Sequence, residues 1–207
     1  LSQDIFNVNV ASTSFLLDYA YKIGARKFFY ASSGGVYGKN KNPFKENDSI
    51  NKNDGFYLNS KVCGEILVNS YSTLLQTSIF RPFFIYGKGQ DRSMLIPRIF
   101  DSVKTQKPIL IEGDKGIRIN PIHVEDASSA ILATLDKELN GVFNIAGPDV
   151  LSIHEIANLM GEFLNRKPYF KYSNNAPKDL IGDIELMKKK LVSPKRNLKD
   201  YLEDINY

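Results

Sequence analysis

Tryptophan is absent from the 207 residues, cysteine occurs once, histidine twice and methionine three times. A lone thiol, Cys63, cannot close an intramolecular disulfide. Two histidines and one cysteine are also a poor inventory for a structural metal site, so none is expected. No apolar run approaches the roughly 18 residues that a membrane-spanning helix needs, and Leu1 opens no signal-peptide pattern. No membrane partner is expected, and the location implied is cytoplasmic. The formal net charge is only +4. The run Lys188-Lys189-Lys190, with Lys195 and Arg196, reads as a solvated face, not a nucleic-acid site. Glycine-rich helix openings are missing too: Gly34-Gly35 and Gly87-Lys88-Gly89 are the closest glycine pairs, and neither has the spacing that cradles a pyrophosphate.

What is present is a composition able to bury a sizeable core, 43% hydrophobic and 24% charged. Phe6, Val10, Leu17 and Ala20 recur near the helical period over residues 4–23, and Gly24 is a C-cap candidate. Lys27 to Ala31 is a short apolar run, as expected of a central strand covered on both faces. The polar, glycine-rich Ser32 to Gly38 follows at once, where open α/β sheets place their sites. Lys39 to Gly55 reads as a long loop. A helix is predicted from Phe56 to about Tyr71, a strand over Thr77 to Pro82 and a helix over Ser93 to Lys104. Strands follow at Pro108 to Glu112 and Gly116 to Val124, then a helix over Asp126 to Leu135 and a strand over Val142 to Ile145. Ser152 with Glu155 forms a capping box for a helix running to Leu164. Pro168 to Tyr172 is a further strand, and one or two amphipathic helices follow Asp183. This alternation argues for a parallel sheet with crossover helices.

Tyr57 and Lys61 are four residues apart on the Phe56 helix and so share one face. A phenol has a reference pKa of about 10. A neighbouring ammonium favours its ionised form, which suits a tyrosine for general acid or base work.

Taken in order, Asn9 with Ser12-Thr13, the Ser32 to Gly38 turn, the Tyr57/Lys61 pair, Arg81 to Gly87 and Ile122 to Asp126 resemble the extended short-chain dehydrogenase/reductase family. The match is to its NAD-dependent nucleotide-sugar epimerase/dehydratase branch. The resemblance implies that Tyr57 is the catalytic tyrosine, that Lys61 also holds the nicotinamide ribose, and that Ser33 hydrogen-bonds the substrate oxygen. It implies that Asn9 supports the site, with Ser12 where the family usually has glycine, and that Pro82 and Phe83 lie beside the nicotinamide. Met94 and Leu95 fall at the nucleotide, and Arg118 resembles the arginine that meets the substrate phosphates. His123 reads instead as a satisfied structural histidine. Two departures narrow the activity. Dehydrating members carry an acidic pair after the Ser/Thr, where this chain has Gly34 and Gly35, so a 4,6-dehydratase is disfavoured. Phe84 stands where a substrate-binding Asn is common, and a phenyl ring cannot supply its hydrogen bonds to the diphosphate.

The fold implied is α/β, part of a Rossmann-like doubly wound parallel sheet with a smaller C-terminal α/β substrate domain. Residues 1–88 would be the C-terminal part of the NAD-binding domain. Residues 89–207 would be mainly substrate-binding, with some elements returning to the sheet. The resemblance also implies that roughly 70 to 90 residues of βαβ structure precede the chain, without which it is expected neither to bind NAD tightly nor to turn over. The activity implied is 4-epimerisation of a nucleotide-activated sugar through a transient keto intermediate. NAD is the cofactor, with NADP possible, and the complete protein is a homodimer. The alternatives are an NAD(P)H-dependent keto-sugar reductase and a non-catalytic binding or oligomerisation remnant.

Overall fold

The computed structural model describes residues 2–38, 43–51 and 55–204. Its first helical run is α1 (Ser2–Phe6), a π-helical turn (Asn7–Ala11) and α2 (Ser12–Lys22). Gly24 ends it with φ of 70°. The Ala25 amide bonds to Ala20 O and the Gly24 amide to Tyr21 O, the pattern that satisfies the last carbonyls of a helix. There follow β1 (Lys27–Ala31), a 3-10 turn (Gly34–Tyr37), α3 (Phe56–Ser70), β2 (Gln76–Pro82), β3 (Ile85–Tyr86), α4 (Leu95–Lys104) and β4 (Ile109–Glu112). The chain continues through β5 (Arg118–Ile119), β6 (Ile122–His123), α5 (Val124–Leu132), β7 (Gly141–Ile145), β8 (Leu151–Ser152), α6 (Ile153–Leu164), β9 (Phe170–Ser173), α7 (Glu185–Lys190) and α8 (Leu198–Asp204). Ser152 caps α6 with the full reciprocal capping box. Of the Lys39 to Gly55 loop, residues 39–42 and 52–54 lie outside the described residues. In the described part, the Phe44 amide donates to Ile181 O and the Asp183 amide to Phe44 O.

The sheet is parallel, in the order β1-β2-β7, with Tyr30 opposite Ile79 and Phe80 opposite Phe143. Successive strand residues face opposite sides, and both sides are covered by helices. Tyr30 and Ile79 pack with Leu17 of α2 and Val68 of α3. Phe80, Phe143 and Ile145 pack on the other side with Ala127 and Ala130 of α5 and with Met187 and Leu191 of α7 and its C-terminal end. This is a Rossmann-like, doubly wound arrangement. A separate core joins α4, α6 and α8 through Ile99, Phe100, Ile156, Met160 and Leu202, beside the parallel pair β4 and β9.

Two expectations change. The predicted strand over Gly116 to Val124 is two short strands, broken at Asn120-Pro121. β5 pairs antiparallel with β8 and β6 pairs parallel with β3. Pro121 has no amide to give a ladder, and the Asn120 side chain bonds Gly182 in both directions, at 2.8 and 3.0 Å. The second concerns β1, read as covered on both faces. Lys27, Phe28 and Phe29 are only half-buried, whereas Thr77 to Arg81 of β2 are all buried. Among the described residues β1 hydrogen-bonds one neighbour, β2. Among the described residues, too, no helix is long and apolar enough to cross a membrane.

Candidate active site

The carboxyl ends of β1 and β2 lie side by side, which is where open α/β sheets gather their chemistry. Ser33, two residues beyond β1, has extended backbone and caps the 3-10 turn by accepting from the Gly35 amide at 3.1 Å. Its hydroxyl proton remains to donate. Tyr57 sits in the first turn of α3 with 49% of its surface exposed. One turn on, the half-buried Lys61 donates to Ala31 O at 3.0 Å and lies between two rings, 5.5 Å from the Tyr30 centroid and 5.9 Å from that of Tyr57. Burial lowers the pKa of Lys61. Its ammonium has three N–H donors, so two remain beyond the one given to Ala31. The Tyr30 phenol is pushed up to about 12 by burial and then by the neighbouring Glu65 charge. It fits under α3 because residue 64 is glycine, where a Cβ would stand 2.0 Å from the Tyr30 oxygen.

Asn9 is buried in the π-helical turn and reaches the site indirectly. Its Nδ2 donates to Ser60 Oγ at 2.9 Å, and Ser60 in turn donates to Tyr57 O at 2.6 Å. Ser12 donates back to Val8 O. Pro82 ends β2 beside Ile145 of β7. Phe83 is 1% exposed, and its ring fills the space between two glycines. A Cβ at Gly34 or at Gly182 would come within 2.6 or 2.8 Å of it. An acidic side chain at position 34 therefore has no room while Phe83 is in place. Phe84 is half-buried with φ of 46°, a left-handed conformation that asparagine adopts far more readily than an aromatic.

The remaining predicted residues lie elsewhere. Met94 is the exposed residue before α4, and Leu95 lines a cavity of about 400 Å³ with Arg98, Leu110, Glu112, Ile117 and Ile153. Arg118 does not line that cavity. Its Nε and Nη2 both donate to Asp179 Oδ2, at 2.9 and 2.7 Å. His123 is buried, caps α5 by accepting from the Glu125 amide, and packs on Tyr86 and Tyr201.

The sequence reading passed over a buried polar cluster behind the site. Glu65 accepts from Ser32 Oγ at 2.5 Å and from Arg81 at 2.9 and 2.6 Å, and Arg81 also donates to Tyr37 OH at 2.7 Å. Tyr37 donates to Asn144 Oδ1 at 2.9 Å. Its phenol is pushed up to about 12 by burial, with Arg81 acting in the opposite sense. Two signals were available: Glu65 continues the Tyr57, Lys61 row at i+8, and Arg81 is a charge directly after Ile79-Phe80 in a strand, where burial demands a partner.

A parallel sheet wound on both faces, with the Lys61 ammonium of α3 and the Ser33 turn at the carboxyl end of β1 and Tyr57 one helical turn before Lys61, defines a Rossmann-like α/β fold. The chain belongs to the NAD dependent epimerase/dehydratase family, whose model matches residues 2–146. It is 27% identical over 202 residues to the Uncharacterized UDP-glucose epimerase YtcB of Bacillus subtilis, covering 94% of this chain and 64% of the relative. It is 32% identical over 166 residues to the UDP-N-acetyl-alpha-D-glucosaminuronate decarboxylase of Bacillus cytotoxicus, covering 75% and 51%. Among solved structures, UDP-glucuronic acid 4-epimerase from Bacillus cereus, in complex with UDP-glucuronic acid and NAD, superposes with a TM-score of 0.84 at 25% identity. That match covers 94% of this chain and 65% of that one. The chain thus spans about half to two-thirds of the length of these relatives.

Proposed function

We propose that this chain carries the proton-transfer half of an NAD-dependent nucleotide-sugar 4-epimerase. The observation that carries the reading is the Lys61 ammonium held between Ala31 O and the Tyr57 ring, beside the Ser33 turn. The residues fit the nicotinamide ribose: Lys61 has two donors to spare and the Tyr57 phenol is open to solvent. Among the described residues there is no glycine turn opening a helix for the pyrophosphate, so the adenosine half of NAD needs residues beyond these. When bound, NAD supplies the hydride acceptor. Tyr57 takes the proton from the sugar hydroxyl and returns it, Ser33 donates to the same oxygen and orients it, and Lys61 stabilises the phenolate by its charge. Pro82 and Phe83 would border the nicotinamide through their backbone. Met94, Leu95 and the neighbouring cavity would take the nucleotide, and Arg118 its phosphates by exchanging Asp179 for them.

Gly34 and Gly35, closed in by Phe83 and Leu58, argue against the acid–base pair that dehydration needs. NADP in place of NAD is compatible with these residues. A cytoplasmic location goes with this reading, since the single thiol requires no oxidising compartment. The exposed apolar residues Phe15, Leu16 and Tyr19 of α2 and Ile66 of α3 support pairing with a second copy, and a monomer in light scattering would contradict it. The test of activity is incubation of the full-length protein with NAD and UDP-glucuronic acid, followed by NMR of the product. The C4 epimer is expected without net NADH formation, and a 4-keto-6-deoxy product from a nucleotide hexose would sink the reading. A second reading, reduction of a keto sugar, is favoured by 27% identity over 187 residues to dTDP-4-dehydro-6-deoxy-D-allose reductase of Streptomyces sp.. Stoichiometric NAD(P)H consumption would select it.

A further inference from the structure

Tyr57, Lys61 and Glu65 stand at i, i+4 and i+8, one row on the face of α3. The row runs from open to closed, Tyr57 being 49% exposed and Glu65 3%. Its lower two members tie down two consecutive residues of the segment leaving β1: Lys61 holds Ala31 O at 3.0 Å and Glu65 holds the Ser32 hydroxyl at 2.5 Å. The next residue is Ser33. Glu65 cannot rotate away, because the fork of Arg81 occupies both its oxygens, and Arg81 is fixed in β2 immediately before Pro82. A third Arg81 nitrogen holds the Tyr37 hydroxyl at 2.7 Å, so one ion pair anchors the turn that Ser33 caps at its start and that Tyr37 ends.

We propose that Ser32, Glu65 and Arg81 are positioning residues, which fix the Ala31–Ser33 segment against α3 and so set where the Ser33 hydroxyl and the Lys61 ammonium stand relative to the Tyr57 phenol. Stability alone is a weak reason for the pair. Two buried charges often do no better than apolar residues of the same size, and Tyr30, Val68, Ile79 and Phe80 nearby show that this region packs apolar side chains readily. The bidentate geometry, in contrast, leaves a single allowed placement of strand end and helix. This inference rests on the proton-transfer reading of Tyr57 and Ser33, so its test must fail separately from that reading.

The test uses Ser32→Ala, Glu65→Gln and Arg81→Lys in the full-length protein, with 3-fluorotyrosine at position 57. Ser32→Ala removes one hydroxyl and leaves the ion pair whole, so it guards against a variant that simply fails to fold. The expected result is a shifted or broadened fluorine resonance in Ser32→Ala at an unchanged melting temperature. With UDP-glucuronic acid, kcat should fall about 10- to 100-fold at constant KM, the cost of a displacement near 1 Å. Arg81→Lys keeps the charge without the fork and should resemble Glu65→Gln; full activity with lysine would overturn the proposal. So would a parental fluorine resonance in Ser32→Ala, whether or not turnover is measurable, or a loss of activity that only tracks the unfolded fraction. Tyr57→Phe is the separate control: retained turnover there would defeat the proton-transfer reading, while the fluorine resonance still judges the positioning.

Discussion

Arg81 and Arg118 each meet a carboxylate, in opposite surroundings. The Arg81 and Glu65 side chains are both 4% exposed and meet fork to fork. Arg118 is 51% exposed, and its two bonds converge on one oxygen of Asp179, whose other oxygen takes the Arg118 backbone amide at 2.8 Å. A ligand can compete for the second arginine, because water already reaches it, and Asp179 keeps a partner when the guanidinium leaves. Nothing can compete for the first. The resemblance gave a role to Arg118, the arginine that is replaceable, and none to Arg81, which the fold cannot spare.

Substitution should separate the two pairs, and the largest effect belongs to Arg81→Met. It strands a buried carboxylate and is expected to cost about 3–5 kcal/mol in denaturant unfolding. A loss under about 1 kcal/mol would mean that Glu65 finds another partner. Next comes Gly34→Ala, which drives a Cβ into the Phe83 ring and should cost about 1–3 kcal/mol by overpacking. Phe83→Leu should recover part of that loss in a double-mutant cycle, and strict additivity would remove Phe83 as the cause. Arg118→Ala is the smallest, at most about 1 kcal/mol. If it matched Arg81→Met, the contrast between wet and dry pairs would collapse.

Local pattern was enough for much of the fold. The apolar run of β1, the Ser152/Glu155 capping box and the glycine after α2 each carry their cause within a few residues, and all appear where the sequence puts them. The Tyr57 and Lys61 pair was legible for the same reason, since helical geometry alone makes them neighbours. What escaped depends on distant partners. Glu65 meets Arg81 across 16 positions and Arg118 meets Asp179 across 61, and periodicity reports which face a residue takes, not whom it meets there. The break at Asn120-Pro121 was half legible, because proline argues against a continuous strand, but the Gly182 backbone that takes up the Asn120 amide was not. Nor does any residue in Asn7–Ala11 announce a π-helical turn. Asn9 is buried there against Ser60 of α3, a contact that no local pattern reports.

The most direct measurement on the Tyr57, Lys61 and Ser33 constellation is single-turnover kinetics of Tyr57→Phe in the full-length protein, with NAD affinity measured by calorimetry on the same sample. Only the ionisable oxygen is lost, so the rate of the chemical step should fall by a factor of at least about 10², the lower end of what general acid–base catalysis supplies. NAD binding should remain nearly unchanged. Turnover within a few-fold of the parent, with NAD binding intact, would contradict the assignment of Tyr57 as the proton-transferring group.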